Sequence, residues 1–282
     1  MSSQEIKFVY VNGELVPKAE AKINCFDEGV THGWAVYEGL RVYDGKILKL
    51  EEHVNRLYDS AKAAYISIPI SKNEFKKAIV DTVRANEFRE AHIRPWVSYG
   101  VIGGTPNIFI QVKYAKTQMG KKLTAIVSAV RRAACDAIDS KIKTNSRLDL
   151  CLAKVEAQLA GVDSVIMLDK EGFVAEVSMA NIFLVKKGAV FTPFTTNSLE
   201  GITREILINL LKKEGYPVEE KNMTFKDLYT ADEIFECGTG AEIKPIVEVD
   251  GRMIGDGEMG PIVEKAIELY RKYVDEEGVP IY

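Results

Sequence analysis

In the stretch KIKTNSRLDLCLAKVEAQLAG, residues 141–161, two lysines stand just ahead of what reads as a helix N-terminus. The partial positive charge of a helix start opposes a nearby ammonium and lowers its pKa, and burial acts in the same direction. An amine that is partly neutral near pH 7 can attack a carbonyl and form a Schiff base. Leu148, Cys151, Leu152, Val155 and Leu159 fall at helical spacing and Gly161 supplies a stop, which predicts a helix over 147–160 with that stripe buried. Ser146 and Asp149 are spaced like a capping box, so Lys143 falls just outside the helix start. Lys141 reads as a solvated charge, which is also the commoner explanation for any single lysine such as Lys143.

Two segments have the makings of anion sites. In SLEGITREILINLLKKEG, residues 198–215, Ile202, Ile206, Leu207, Leu210 and Leu211 predict a helix over 202–214. Gly201 at its start would let a ligand approach the backbone N–H groups of Ile202 and Thr203. In IFECGTGAEIKP an apolar run breaks into small residues, where open amides and the Thr239 hydroxyl could meet an anion; a glycine turn between a strand and a helix explains the same pattern. Glu176 in FVAEVSMANIFLV lies on the strand face opposite Phe173, Ala175 and Val177, so it is either edge-exposed or paired with a cation such as a protonated pyridine. Arg56 in EEHVNRLYDSA lies opposite the stripe of Val54, Leu57, Tyr58 and Ala61, and periodicity alone makes it solvated.

The elements that must position these residues are legible as alternating patterns. KFVYVNGELVP and RVYDGKILKL read as hairpins turning at Asn12-Gly13 and Asp44-Gly45. EEHVNRLYDSAKAA and KNEFKKAIVDTVRAN carry helical stripes, and HIRPWVSYGVIGG and NIFIQVKYA read as strands, giving a small unit over about 115 residues. AKTQMGKK, residues 115–122, is the candidate linker. Beyond it, strand-like DSVIMLD, FVAEVSM, NIFLVKKG and AVFTP alternate with helices at 147–160, 202–214 and 260–274. The chain therefore reads as α+β with two domains, a small α/β sandwich-like domain over 1–118 and a larger, β-rich, barrel-like domain over 119–282.

With 37 basic and 41 acidic residues and a net charge of -4, the chain has no global attraction for nucleic acid or an anionic membrane. The four cysteines are scattered without a CxxC pair and the three histidines do not cluster, which argues against a disulfide framework or a metal site. The opening MSSQEIKFVYVNG lacks a signal-peptide pattern and no uncharged run approaches membrane-spanning length, so a cytoplasmic enzyme is the expectation.

Taken in order, THGWAVYEGLRVYDGKILKLEEHVNRLYDSA, HIRPWVSYG, KIKTNSRLDLCLAKVEA, GFVAEVSMANIFLV, LEGITRE and CGTGAEIKPI resemble the fold-type-IV pyridoxal-phosphate enzymes: branched-chain aminotransferases, D-amino acid aminotransferases and aminodeoxychorismate lyases. The resemblance covers nearly the whole chain. It implies that Lys143 binds pyridoxal phosphate covalently and shuttles a proton, and that Glu176 pairs with the pyridine nitrogen. It implies further that Arg56, Thr239 and the Ile202 and Thr203 amides hold the phosphate, Arg56 on this ground alone. The substrate carboxylate would be met by the amides of Gly240 and Ala241 with help from the small domain. His32 and His92 stand where the branched-chain group usually has tyrosine and Arg94 where it has arginine, so His92 could donate to a carboxylate with a pH dependence tyrosine lacks. After the lysine, NSRL stands where that group has a tyrosine for the cofactor's phenolic oxygen; Arg147 either replaces it or faces solvent.

HIRPWVSYG, VRRAACDAIDSKIK and Tyr37-Glu38-Gly39 look more like the branched-chain group, with Tyr37 among the substrate contacts. The reading that follows is ping-pong amino transfer from an L-branched-chain amino acid to 2-oxoglutarate. D-amino acid or (R)-amine transamination comes next, then aminodeoxychorismate lyase activity and a non-catalytic phosphate-ligand binder. Resemblance also implies a homodimer with active sites at the domain junction.

Overall fold

The computed structural model describes residues 5–282. The chain opens with strands β1 (Phe8–Val11), β2 (Glu14–Pro17), β3 (Ala35–Tyr37), β4 (Leu40–Tyr43), β5 (Lys46–Ile47), β6 (Ala91–Ser98) and β7 (Asn107–Tyr114). Among them lie helices α1 (Glu28–Thr31), α2 (Leu50–Ala63) and α3 (Lys72–Ala85). Both dipeptide turns form as the sequence predicts: Asn12 and Gly13, then Asp44 and Gly45, take the positive φ that a tight hairpin demands. The α3 stripe of Phe75, Ala78, Ile79 and Val83 packs with Val54, Leu57 and Ala61 of α2 in one core, and Ser71 and Glu74 close a reciprocal capping box at the α3 start.

The middle of the chain holds β8 (Leu123–Arg131), α4 (Leu148–Ala160), β9 (Ser164–Leu168), β10 (Val174–Val177), β11 (Asn181–Lys186) and β12 (Ala189–Thr192). These are followed by α5 (Ile202–Lys213), β13 (Val218–Glu220), α6 (Phe225–Tyr229), β14 (Glu233–Gly238), β15 (Glu242–Val249), β16 (Arg252–Met253), α7 (Pro261–Glu276) and β17 (Val279–Pro280). The fold is α+β, with two sheets. One runs β17-β5-β4-β6-β7-β1-β2 with β3 on β6, and the other runs β10-β9-β8-β15-β14-β11-β12-β13 with β16 on β15. The first compact unit gathers residues 5–116, 142–146 and 274–282; the second gathers 117–141 and 147–273. The chain end thus returns to the first sheet, where Val279 and Pro280 pair with Ile47 and Lys46.

Three local expectations are corrected. Leu148, Leu152, Val155 and Leu159 of α4 are exposed, and Cys151 with them, whereas Leu150, Ala153 and Ala157 are buried against Val165 and Met167 of β9. Leucine and valine dominate the periodicity, but the close approach of helix to sheet is made on the face with two alanines. Arg147, not Ser146, is the α4 N-cap and no side chain caps the helix; the Ser146 hydroxyl donates instead to the Gly33 carbonyl at 3.1 Å. Finally, Thr239–Ala241 turns between two antiparallel strands, Gly238 pairing with Glu242, and no helix follows.

Candidate active site

Lys143 lies in the short segment that joins the first unit. Its carbonyl accepts from the Tyr37 N–H at 2.9 Å, Asn145 N–H donates to the Ala35 carbonyl at 2.8 Å, and Thr144 bridges Val36. The segment therefore runs as a partial extra strand beside β3, which fixes the lysine backbone; its N–H donates to Ser60 Oγ at 3.2 Å. The Lys143 ammonium sits 4.9 Å from the centre of the Tyr37 ring, and the Arg94 guanidinium carbon 4.2 Å from the same ring. Arg94 Nη2 also donates to Asn145 Oδ1 at 3.4 Å. Three sequence-predicted residues, Lys143, Tyr37 and Arg94, are thereby brought together.

His92 lies on β6 opposite Arg41, with its Nε2 against Gly39. Burial, reinforced by the cations Lys113, Arg41, Arg94 and Lys143, pushes its pKa down to about 4. The imidazole is neutral at physiological pH, so the pH dependence expected of it moves out of the neutral range. His32 is placed apart from this group in hydrogen bonding: it caps α1, exposed, with Nδ1 at 2.7 Å from Glu28 Oε2.

Arg56 is not solvated. Its Nε and Nη2 form a fork on Glu38, at 2.6 Å to Oε1 and 2.9 Å to Oε2. His53 Nδ1 lies 2.7 Å from Glu38 Oε2; a carboxylate only accepts, so Nδ1 carries the proton of that bond. Burial alone would raise the Glu38 pKa, but the charges of Arg56 and His53 outweigh it and hold the carboxyl below the ordinary range. Burial likewise depresses His53 against the pull of Glu38. Periodicity missed this because the partner comes from the strand region 35–43. The signal was there in EEHVNR, since polar residues three apart on a helix share a face.

In the second unit, β10 is buried along its length and Glu176 is 3 % exposed, which removes the edge-exposed reading. Its Oε1 pairs with Arg132 Nε at 2.6 Å. Arg132, itself buried, also pairs through Nη1 with Asp149 and donates from Nη2 to Ser140 Oγ at 2.9 Å. No sequence argument singled out Arg132; the only hint was a pair of arginines directly after an apolar strand.

The α5 start has no side-chain cap on Gly201, so the Ile202 and Thr203 amides are the donors an anion would meet. Gly201 is required for a different reason than ligand access: a Cβ there would stand 1.9 Å from Asn181 Oδ1. Asn181, buried at the head of β11, donates from Nδ2 to the Leu199 carbonyl at 3.0 Å and so ties down the loop before α5. The preceding residue Ala180 lies against Gly238, which brings the Thr239–Ala241 turn beside the same strand start. That turn is held from its other side by Glu242, a buried residue at φ 61, whose carboxylate accepts from the Gln118 N–H at 2.5 Å and from Thr117 Oγ1 at 3.1 Å. Arg147 is half-buried at the α4 N-cap. The second unit therefore combines a buried carboxylate bound to an arginine with an uncapped helix start and a small-residue turn, both beside the head of β11. Among the described residues no group of His, Cys, Asp or Glu could hold a metal ion, and no helix is long and apolar enough to cross a membrane.

The amino-transferase class IV family model matches residues 35–249. A putative branched-chain-amino-acid aminotransferase of Methanocaldococcus jannaschii is 41% identical over 284 residues, covering 97% of this chain and 99% of that one. Among solved structures, the Thermobaculum terrenum branched-chain amino acid aminotransferase in its PLP-form superposes with a TM-score of 0.89 at 32% identity, covering 96% of this chain and 94% of that one. The Thermoproteus uzoniensis branched-chain aminotransferase with norvaline gives 0.91 at 35%, covering 98% and 99%. The family match and these likenesses show that the chain belongs to the class IV aminotransferases, the fold-type-IV pyridoxal-phosphate enzymes, in their branched-chain group.

Proposed function

We propose that the protein transfers an amino group from L-leucine, L-isoleucine or L-valine to 2-oxoglutarate by a ping-pong mechanism, with Lys143 as its catalytic residue. The burial of Glu176 inside β10, paired with Arg132, is the observation that carries the cofactor assignment: a carboxyl group set inside a sheet is what a pyridine nitrogen would pair with. Lys143 would hold the cofactor through its amine and would carry the proton at the substrate α-carbon. When bound, pyridoxal phosphate supplies the electron sink that lets that carbon release its proton. Glu176 holds the proton at the pyridine nitrogen. Arg56, Thr239 and the Ile202 and Thr203 amides would hold the phosphate, and Arg147 would serve the phenolic oxygen in place of a tyrosine.

Arg94, neutral His92, Tyr37, His32 and the Gly240 and Ala241 amides receive the substrate. Because His92 is neutral, it offers an N–H to a carboxylate without adding a charge. Borohydride treatment followed by peptide mapping tests the centre of this reading: a phosphopyridoxyl adduct is expected on the peptide containing Lys143, and its absence would overturn the reading. Rapid half-reaction with L-leucine and L-valine is expected; conversion by D-alanine or (R)-1-phenylethylamine but not by L-leucine would overturn the substrate assignment.

We also infer a homodimer. Leu148, Leu152, Val155 and Leu159, 71%, 48%, 47% and 83% exposed, form a continuous apolar stripe on α4, which a second copy would cover. Sedimentation of Leu152→Glu/Leu159→Glu is expected to show a monomer where the parent is a dimer, and an unchanged dimer would remove α4 from the interface. The exposed free thiols of Cys25, Cys135 and Cys151 suit a reducing compartment, and we place the enzyme in the cytoplasm.

A further inference from the structure

Leu184 and Lys186 of β11 stand opposite Phe191 and Ala189 of β12, so alternation sets these four side chains on one face of the hairpin. Phe183, one residue before Leu184, takes the other face and stacks on Phe235. Past β13, the Lys221 N–H donates to the Thr192 carbonyl at 3.0 Å, and Met223 and Ala231 are buried in one core with Leu184. Residues of this later segment meet the hairpin face across a cavity of about 320 Å³, whose apolar wall is Leu184, Ala189, Phe191, Met223 and Ala231. None of these belongs to the cofactor or substrate set above. Leu184 stands three residues along β11 from Asn181, roughly 10 Å at the rise of a strand.

Three of the polar residues lining the cavity have partners within the protein. Lys186 pairs with Asp232 at 2.7 Å, and the Thr230 hydroxyl donates to the Lys226 carbonyl at 2.7 Å. Asp227 Oδ2 accepts from the Thr224 N–H at 2.8 Å and from its hydroxyl at 2.9 Å, which holds the carboxyl below its ordinary pKa and keeps it ionised. The other two, Lys187 and Lys221, form no salt bridge among the described residues. The Lys221 ammonium lies instead 3.6 Å from the centre of the Phe191 ring, on the apolar wall itself. An ammonium set on an aromatic face has given up part of its hydration, so an anion that completes it gains more than at a free surface lysine. The lining holds no arginine, whose fork suits a phosphate, and Asp227 disfavours a second negative charge.

We propose that this cavity is a second ligand site, which takes a short aliphatic monocarboxylate with its chain against Leu184, Phe191 and Met223 and its carboxylate on Lys187 and Lys221. Its volume is at the small end of ligand pockets, roughly 300–1,000 Å³, which suits a short chain.

The test uses the full-length holoenzyme labelled with methyl-¹³C methionine, with the Met223 resonance assigned from Met223→Leu and hexanoate as the probe. Hexanoate also resembles a substrate, so the readout must report on this cavity alone, which the Met223 methyl group does. Its resonance is expected to shift saturably, with a dissociation constant on the order of millimolar for a ligand of so few atoms. Lys187→Gln and Lys221→Gln are each expected to weaken this binding about tenfold and Lys221→Glu to abolish it, with transamination at the parent rate in all three. Hexanol, which has the chain without the charge, and inorganic phosphate, which has charge without a chain, are expected to bind more weakly than hexanoate. A Met223 signal that does not respond to hexanoate overturns the proposal. So does a shift of equal affinity in the Lys187→Gln/Lys221→Gln double variant, since it would report binding elsewhere. Phosphate binding as tightly as hexanoate would overturn the ligand class.

Discussion

Glu38 shows how a residue without direct chemistry can govern one that has it. The carboxylate is 1% exposed at its side chain and receives the Arg56 fork, so the guanidinium proposed as a phosphate ligand is held in a set orientation. Glu38→Ala would leave Arg56 and His53 without their shared partner; unfolding in urea is expected to show a loss of about 3–5 kcal/mol, together with weaker cofactor binding. His92 carries the clearest pH signature. Its folded pKa of about 4 lies below the unfolded value, so the unfolded chain takes up the proton first as pH falls. The stability contributed by the neutral form is complete above about pH 6.5 and is lost on acidification toward pH 4, about 3 kcal/mol in all for that pKa difference. His92→Phe is expected to flatten the pH dependence of denaturant stability in that window by a comparable amount. An identical slope in the variant would show that the imidazole is not held neutral.

At the scale of elements, the junction of β11 with α5 turns sequence into geometry. Asn181 fills the space that a side chain at 201 would occupy, and its amide bonds the Leu199 carbonyl. Gly201→Ala is expected to destabilise by about 1–3 kcal/mol through this overpacking and to weaken phosphate binding at the helix start. Combining it with Asn181→Ala should recover part of the packing cost, and a double-mutant cycle on thermal or urea unfolding measures the recovery. Additive losses would mean the two residues are not in conflict. Periodicity located α2, α3, α4, α5 and α7 because each has apolar residues at helical spacing, and Asn-Gly and Asp-Gly located the hairpins. It chose the wrong face of α4, since side-chain size ranks burial only when the partner surface is known; here small alanines allow the helix to approach β8 and β9.

At the scale of the whole molecule, the last residues belong to the sheet laid down first. Ile281 is buried in the core of the first unit, its carbonyl accepts from Arg84 Nη2 at 2.6 Å, and β17 pairs with β5. Truncation after Gly278 is expected to lower the stability of the first unit by at least the burial of one isoleucine, about 2–3 kcal/mol, seen as increased hydrogen exchange in β4 and β5. Undiminished protection there would show that the chain end is dispensable.

The amino-acid sequence by itself determined the local elements, the turns and the ordered set of residue types: an amine ahead of α4, a carboxylate within a strand, glycine-rich breaks before α5 and after β14. These depend on spacing along the chain, which the sequence contains. Only the tertiary structure decided which charges are matched. Glu38 with Arg56 and His53, Arg132 with Glu176 and Asp149, and Asn181 with Gly201 join residues from separate elements, and no periodicity reports such a pairing. The same reason explains Arg56, which a helical wheel assigns to solvent and which a buried glutamate from another element takes out of it. Ionisation followed packing as well: His92 reads as an ordinary titrating group until the surrounding cations and its burial are in place.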